Sequence, residues 1–301
     1  MTSSAYSFLL DGGGSKTTAA LLTSAGVELA SCRVGPANLY REPAAGLAEI
    51  RAAWIELCGR TGLDPDAAAA TTTVSAGLAG ASGSVQRHAF ADAFAGFAGR
   101  RLSSDGYIAF LGVFGDAPGA LLSIGTGVVA FRRAAGQHPE IRAGWGFPTG
   151  DRGGGAWLGF RLAAEYLDHL DGIGERGPLW AVAEAAVGSS RDSILLWLAR
   201  ARAAEFAALA PAIVTNAGAG DPLASALLAE GADHVARLAG AVVAGTGGAL
   251  CLAGGLAEVY RPLLEGRVAA PILPTARAPD PLRGAWLVAI GAAAPEYADV
   301  G

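Results

Sequence analysis

Short apolar runs separated by glycine-rich or polar turns dominate the first part of the chain. The runs predict three strands, at residues 6–11, 19–22 and 27–33. Only residues 23–26, with the turn at 24–26, separate the last two runs, and so short a connection makes their strands antiparallel neighbours. The first predicted element group is therefore a small sheet whose first strand ends in Asp11 and a run of glycines.

A helical period follows this sheet. Apolar residues spaced three or four apart predict a helix after Pro43, which Gly59 and Gly62 help to end. The next predicted elements are a buried strand at 71–78, a helix marked by Phe90, Phe94 and Phe97, and a short strand at 101–104.

A similar order recurs from residue 120. The predicted strands lie at 120–124, 128–132 and 249–253, with another that ends near Gly144, and the predicted helices lie at 156–170, over most of 178–240 and at 282–294. Turn signals at 188–190 and 218–222 interrupt the helical stretch, and a proline-rich surface loop at 271–281 precedes the last helix. A strand–glycine turn–strand unit thus occurs twice, which predicts an α/β fold of two related halves, each a mixed sheet flanked by helices.

Composition narrows the function classes. The chain has 301 residues, of which 52% are hydrophobic and 16% charged, so it can bury a large core and we expect no extensive disorder. Its net charge of −5 opposes a nucleic-acid partner. Residues 238–257 carry no charge over nearly the length of a membrane span, but their six glycines predict turns around a buried strand instead, and we expect no membrane partner.

The spacing of the cysteines bears on whether the protein works in a reducing or an oxidising compartment. Cys32, Cys58 and Cys251 lie far apart and form no CxxC motif, which opposes a disulfide scaffold, a structural zinc site and an iron–sulfur cluster within the chain. With no signal peptide in the first residues, we expect a reducing, cytoplasmic location.

Two glycine turns are candidate phosphate sites. Gly12, Gly13 and Gly14 follow an apolar strand and precede Ser15 and Lys16, so free backbone N–H groups, a hydroxyl and the only lysine of the chain lie together. The segment is not a P-loop, because serine rather than glycine precedes the lysine. Gly125, Thr126 and Gly127 have the same setting. Each alone is equally an ordinary hairpin turn, and only the pair suggests a triphosphate clamp.

Asp105 is a candidate general base. A carboxylate at the carboxyl end of a strand, followed by Gly106, can accept the proton of a substrate hydroxyl. The alternative is a helix N-cap, because the apolar run 107–114 follows. In the glycine-rich segment 144–155, Asp151 can bind sugar hydroxyls and Trp145 can offer an apolar face, while the backbone of 252–257 suits a flat purine.

Together these segments resemble the actin-like ATPase superfamily, which includes hexokinase. Residues 11–17 resemble its first phosphate loop, 125–127 its second and 252–256 its adenosine loop. Within the superfamily the chain is similar to the branch of N-acetylglucosamine and glucosamine kinases and BadF/BadG/BcrA/BcrD-type ATPases. The segments that carry this closer resemblance are 36–38, 104–106, 144–155 and 220–223.

The resemblance implies two actin-like, ribonuclease H-like domains, residues 1–117 and 118–301, with an ATP and sugar cleft between them and the last helix packed back on the first domain. It implies an ATP- and Mg²⁺-dependent kinase that phosphorylates the 6-hydroxyl of N-acetylglucosamine or glucosamine, with a homodimer common in the branch. Two alternatives stay open: an ATPase activator component, which the scattered cysteines oppose, and a non-catalytic sugar-binding sensor.

The resemblance also implies residue roles. Asp105 is the general base, and Asp11 holds Mg²⁺ through water. The implied sugar contacts are Asn38, Gly144, Asp151 and Asp105; the implied phosphate contacts are Gly12, Gly13, Gly14, Ser15, Lys16, Gly125, Thr126 and Gly127; and the implied adenosine contacts are Gly254, Gly255 and Ala217. Val128, Arg152 and Gly154 depart from the branch's pattern, which leaves the substituent on sugar carbon 2 open.

Overall fold

A computed structural model describes residues 4–14, 16–40, 42–173 and 177–297. Ser15 lies outside these residues. The strands are β1 (Tyr6–Gly12), β2 (Thr17–Thr23), β3 (Glu28–Val34), β4 (Thr72–Leu78), β5 (Gly99–Ser103), β6 (Gly119–Ile124), β7 (Val128–Arg133), β8 (Glu140–Ala143) and β9 (Ala249–Ala253). The helices are α1 (Pro43–Thr61), α2 (Pro65–Ala69), α3 (Ser84–Ala93), α4 (Asp105–Phe114), α5 (Gly155–Leu170), α6 (Leu179–Val187), α7 (Arg191–Arg200), α8 (Ala203–Ala207), α9 (Ala210–Gly218), α10 (Pro222–Val243), α11 (Ala257–Leu264) and α12 (Pro281–Ala289), with a 3-10 turn at Thr275–Arg277.

The chain divides into two compact units. Unit 1 comprises Met1–Ala117 and Pro279–Gly301, and unit 2 comprises Pro118–Ala278. The sheet of unit 1 has the strand order β3-β2-β1-β4-β5, and that of unit 2 the order β8-β7-β6-β9. In each, an antiparallel meander is followed by a parallel neighbour, so β6, β7, β8 and β9 repeat the arrangement of β1, β2, β3 and β4. The prediction of two α/β halves with mixed sheets is confirmed.

Helices cover both faces of the sheet in unit 1. Phe8 and Leu10 of β1 point to one face and belong to a core that α1 and α3 complete, whereas Leu9 points to the other and packs with Ile108 of α4 and Ala285 of α12. Successive side chains of a strand alternate between faces, which explains why three consecutive residues of β1, Phe8, Leu9 and Leu10, are all apolar.

The last helix packs against α4 and β1 of unit 1 through glycines. A Cβ on Gly284 would overlap the backbone oxygen of Ile108, and one on Gly112 would overlap that of Asp280. Ser75 of β4 adds a hydrogen bond from its hydroxyl to the Ala285 carbonyl at 2.7 Å. The two helix backbones therefore approach as closely as glycine permits.

Helix boundaries differ from prediction at two places. The helix predicted at 282–294 ends at Ala289, because Gly291 takes a left-handed φ of 75° and the Ala293 N–H donates back to the Leu287 carbonyl at 3.0 Å. The helix predicted from three phenylalanines ends at Ala93, so Phe94 and Phe97 lie beyond it. Their rings still pack 5.6 Å apart, because a compact turn brings them to the same core.

In unit 2 the stretch 178–240 contains helices α6 to α10, with the predicted turns at 188–190 and 218–222 and further breaks near Ala201 and Ala208. Residues 238–257 form the end of α10, a turn, β9 and a second turn, as predicted. No helix of the described chain is long and apolar enough to cross a membrane.

Gly284→Ala tests the helix contact in unit 1. We expect it to lower the free energy of unfolding by about 1–3 kcal/mol, because the new methyl group must displace the backbone of α4. Urea unfolding measures the change. Gly59→Ala is the matched control: Gly59 lies in α1, has nothing within 4 Å of its would-be Cβ, and should gain about 0.5–1 kcal/mol. Equal effects of the two variants would contradict this packing.

Candidate active site

A tight turn joins β1 to β2 after Asp11. Gly12 pairs with Thr17 across the hairpin, and the Gly13 N–H donates to the Lys16 carbonyl at 3.1 Å. A Cβ on Gly12 would lie 2.6 Å from Leu78 Cδ2, so a larger residue here would require the Leu78 side chain to move. Gly14 has nothing within 4 Å of its would-be Cβ, and Lys16 is exposed. The outer side of the turn is thus open, with a cationic side chain beside it.

The strand register of unit 1 gathers the acidic candidates at one sheet edge. Asp11 pairs with Gly77 of β4, and Gly77 pairs with Ser103 of β5. Parallel strands lie about 4.8 Å apart, so Asp11 and Ser103 are roughly 10 Å apart. Asp105 lies two residues after Ser103, at the start of α4. A Cβ on Gly77 would overlap Ile108, so glycine here lets α4 approach the strand.

Asp105 is the first residue of α4 rather than its cap. Ser104 is the N-cap, and its side-chain oxygen accepts from the Tyr107 N–H at 3.3 Å. The alternative that Asp105 caps the helix is therefore wrong, because the residue before it already does so. The Asp105 carboxylate accepts from the Gly106 N–H at 2.8 Å and is half-buried.

Burial perturbs both carboxyl groups. Desolvation, reinforced by the charge of Asp105 and opposed by that of Lys16, raises the pKa of Asp11 from 3.8 to about 6. Desolvation also raises the pKa of Asp105, although backbone hydrogen bonds to its carboxylate oppose the rise. Each group can thus exchange a proton nearer neutral pH than an exposed aspartate can.

The loop that carries Asn38 is tied to the first glycine turn. The Ala79 N–H donates to the Gly12 carbonyl at 2.8 Å, and the Leu39 N–H donates to the Ala79 carbonyl at 2.9 Å. Asn38 Oδ1 accepts from the Tyr40 N–H at 2.9 Å, which orients the half-buried carboxamide. Unit 1 therefore brings Asn38 to the same edge as Asp11.

In unit 2 the second glycine turn is bonded to the start of α5. The Gly155 N–H donates to the Gly125 carbonyl at 2.8 Å, and the Ala156 N–H donates to the Thr126 carbonyl at 2.9 Å. Gly125 has nothing within 4 Å of its would-be Cβ, and Thr126 is exposed. Hydrogen bonds from the start of α5 thus hold one side of the turn, and its other side is accessible.

Asp151 lies directly against this turn. A Cβ on Gly127 would overlap the Asp151 carboxylate. Asp151 has a left-handed φ of 59°, and its Oδ1 is buried with no hydrogen-bond partner among the described residues. Gly144 also belongs here, because its N–H donates to the Val128 carbonyl at 3.0 Å. A buried acceptor of this kind suits a ligand hydroxyl.

A groove of about 580 Å³ opens beside the second turn in unit 2. It is lined by Gly125, Thr126, Gly155, Ala207, Ala210, Pro211, Val214, Thr215, Gly255, Leu256 and Val259. Of the predicted nucleotide contacts it contains Gly125, Thr126 and Gly255. Ala217 is not in the lining; it lies on α9, two residues beyond Thr215.

Gly254 shapes the groove from behind. It has a left-handed φ of 87°, and a Cβ would overlap the backbone of Ile124. The Leu256 N–H donates to the Ile124 carbonyl at 3.0 Å, which fixes the start of α11. The sequence prediction missed Pro211, Val214, Thr215 and Val259. Their signal was the helical spacing of Pro211 and Thr215 on one side of α9.

Comparison with known proteins agrees with these observations. Residues 10–293 match the model of the BadF/BadG/BcrA/BcrD ATPase family. A glucosamine kinase of Vibrio cholerae serotype O1 is 30% identical over 249 residues, which cover 83% of this chain and 84% of that protein.

Solved structures show the same fold. A Chromobacterium violaceum protein described as a candidate N-acetylglucosamine kinase matches with a TM-score of 0.80 and 31% identity, covering 95% of this chain and 99% of the other. A Porphyromonas gingivalis protein of 16% identity matches with a TM-score of 0.69 over 94% and 98% of the two chains, which shows the fold alone. These matches confirm the predicted α/β class with two actin-like units. The chain belongs to the BadF/BadG/BcrA/BcrD ATPase family.

Proposed function

We propose that this chain is an ATP-dependent kinase that phosphorylates the 6-hydroxyl of glucosamine or N-acetylglucosamine. Its family is one of ATPases, and its relatives at 30% and 31% identity are described as a glucosamine kinase and a candidate N-acetylglucosamine kinase. The observation that carries the proposal is the pair of partly buried carboxylates, Asp11 and Asp105, which lie at the carboxyl ends of β1 and β5, the two strands on either side of β4 in the parallel part of the sheet.

Asp105 acts as the general base. It accepts the proton of the sugar hydroxyl as the oxygen attacks the terminal phosphate of ATP. Burial raises the pKa of Asp105, so the carboxylate is a better proton acceptor than an exposed one. The bond from the Gly106 N–H keeps the group in place without consuming both of its oxygens.

Asp11 holds Mg²⁺ through water. Magnesium takes few protein ligands and completes its shell with water and phosphate oxygens, so one carboxylate is enough. The raised pKa of Asp11 marks a carboxylate whose charge is poorly compensated by Lys16, which is the setting in which a cation fits. When bound, Mg²⁺ neutralises charge on the phosphates.

ATP is held by backbone more than by side chains. The predicted phosphate segments 13–15 and 125–127 are rich in glycine, which allows close approach of the backbone to phosphate oxygens, and Lys16 adds a point charge. The groove beside Gly125 takes the adenosine: no charged side chain is among its lining residues, and Pro211, Val214 and Leu256 provide apolar surface for the base.

Polar side chains are the groups proposed to bind the sugar. Asn38 and Asp151 each offer a side-chain acceptor for a sugar hydroxyl, and Gly144 remains a predicted sugar contact. The unpartnered Oδ1 of Asp151 supports this role. A coupled ADP-release assay with glucosamine, N-acetylglucosamine and glucose decides which substituent on carbon 2 is accepted.

A cytoplasmic location and a homodimer accompany this proposal as predictions. Cys32, Cys58 and Cys251 are free, buried thiols, which supports a reducing compartment.

Asp105→Asn tests the general base. We expect kcat for sugar-dependent ADP release to fall by about 10²–10⁴-fold, with ATP binding and the melting temperature retained. Asp66→Asn is the matched control, because Asp66 is an exposed acid in the first turn of α2. Full activity of Asp105→Asn would refute the mechanism. Sugar binding to the wild-type protein without ADP release would favour the sensor alternative.

Gly125→Ala and Gly127→Ala distinguish the residues proposed to contact ATP from those proposed to contact the sugar. The added methyl group at Gly125 meets no protein atom within 4 Å, so we expect an unchanged melting temperature and a KM for ATP raised about tenfold, because the group projects at the nucleotide. At Gly127 it also displaces the Asp151 carboxylate, so the KM for the sugar should rise as well. The same change in both KM values for both variants would contradict these assignments.

Asp11→Asn tests the perturbed carboxyl group. The folded protein binds the Asp11 proton more tightly than the unfolded chain, so the free energy of unfolding should fall as pH rises from 3.8 to about 6. Asparagine does not ionise, so the variant does not lose stability in this way as pH rises. Without divalent cations, its melting temperature should exceed that of the wild type by more at pH 7 than at pH 4. An equal difference at the two pH values would argue against a raised pKa.

A further inference from the structure

We propose that Glu296 is a positioning residue for Asp105: it fixes the two residues that precede the general base. The inference rests on the proposed function. Glu296 Oε2 accepts from the Ser104 N–H at 2.7 Å and from the Ser104 hydroxyl at 2.7 Å. The Glu296 N–H donates to the Ser103 hydroxyl at 3.3 Å. Three hydrogen bonds thus join this residue to the end of β5 and the cap of α4.

These bonds leave the Ser104 hydroxyl a single orientation. Its proton is donated to Glu296, and its oxygen accepts from the Tyr107 N–H at the same time. The hydroxyl therefore links Glu296 to the first turn of α4. Hydrogen bonds to an ionised acceptor are among the stronger ones in proteins, and a negative charge near a helix N-terminus is favourable. Both effects stabilise the backbone on which Asp105 stands.

The segment that carries Glu296 is itself anchored. The chain turns away from α12 at Gly291, and the Tyr107 hydroxyl donates to the Ala294 carbonyl at 2.9 Å. Beyond Glu296, the Arg87 guanidinium lies 5.0 Å from the centre of the Tyr297 ring. Because Tyr107 is buried in α4, the segment is attached to the same helix turn at two successive points.

Glu296 is partly buried beside the acid it supports. Desolvation and the charge of Asp105 raise the pKa of Glu296, whereas the hydrogen bonds from Ser104 lower it. The interaction between two charges is mutual, so the charge of Glu296 also acts on the ionisation of Asp105. Glu296 does not need to touch the sugar or ATP for its removal to matter, since a displacement of about 1 Å at a catalytic group can cost 100-fold in rate.

The test compares Glu296→Ala with Glu296→Gln. We expect the alanine variant to lose about tenfold or more in kcat, with both KM values within about twofold of wild type, because it misplaces the base without touching either binding site. Glutamine keeps an oxygen that can accept from Ser104 and should restore kcat to within about threefold of the wild type.

Asp64→Ala is the matched control. Asp64 caps α2 in the same unit and accepts from the Ala67 N–H at 2.8 Å, so its loss removes a comparable carboxylate–amide bond. We expect this variant to lower the melting temperature and leave kcat unchanged. The inference is overturned if Glu296→Ala keeps the wild-type kcat, if Asp64→Ala loses as much, or if Glu296→Gln is as slow as the alanine variant.

Failure of the proposed function is distinguishable from failure of this inference. If the wild-type protein releases no ADP with any amino sugar, the function is wrong. Hydrogen exchange then provides the readout: faster exchange of the amides at 104–107 in Glu296→Ala, but not in Asp64→Ala, supports the positioning contact. Unchanged exchange at these amides overturns it.

Discussion

The parallel alignment of β1, β4 and β5 is the constraint on which the proposed chemistry depends. It brings residues that are far apart in the sequence to one edge of the sheet, where each strand ends and its backbone can turn towards a ligand. Gly77 completes this arrangement, because a side chain there would push α4 away from the sheet. Because Asp105 is the first residue of α4, its distance from Asp11 would then change.

Unit 2 repeats the topology but offers a different kind of surface. Its strands β6 and β9 end at Ile124 and Ala253, and the turns after them surround an apolar groove. Asp151 is the exception, since its carboxylate lies against Gly127 in a strained left-handed conformation. The two units therefore differ in the surface at their strand ends. Unit 1 carries acidic side chains there, whereas unit 2 offers mainly uncharged backbone around the groove, with Asp151 beside the turn at 125–127.

The features that could be predicted from sequence are those encoded locally. Glycine turns, strand ends and the acid after β5 follow from short patterns, and the strands end within one residue of the predicted positions. The alternative that Asp105 caps α4 was wrong because Ser104, one residue earlier, is also a residue type that favours the N-cap and occupies it. The lining from α9 and the contact of Glu296 with Ser104 depend on packing between distant segments, which no local pattern records. The early end of α12 was missed because Gly291, three residues before the predicted end, stops the helix.

The path of the backbone between the units has a consequence for biosynthesis. Unit 2 is inserted between residues 117 and 279, so it is a continuous segment, whereas unit 1 needs α12 and the residues after it. A nascent chain leaving the ribosome can complete unit 2 while one face of the other sheet still lacks its covering helix. Chaperone contacts or premature termination at that stage would act on an exposed apolar face around Leu9, and the acidic site would be assembled last.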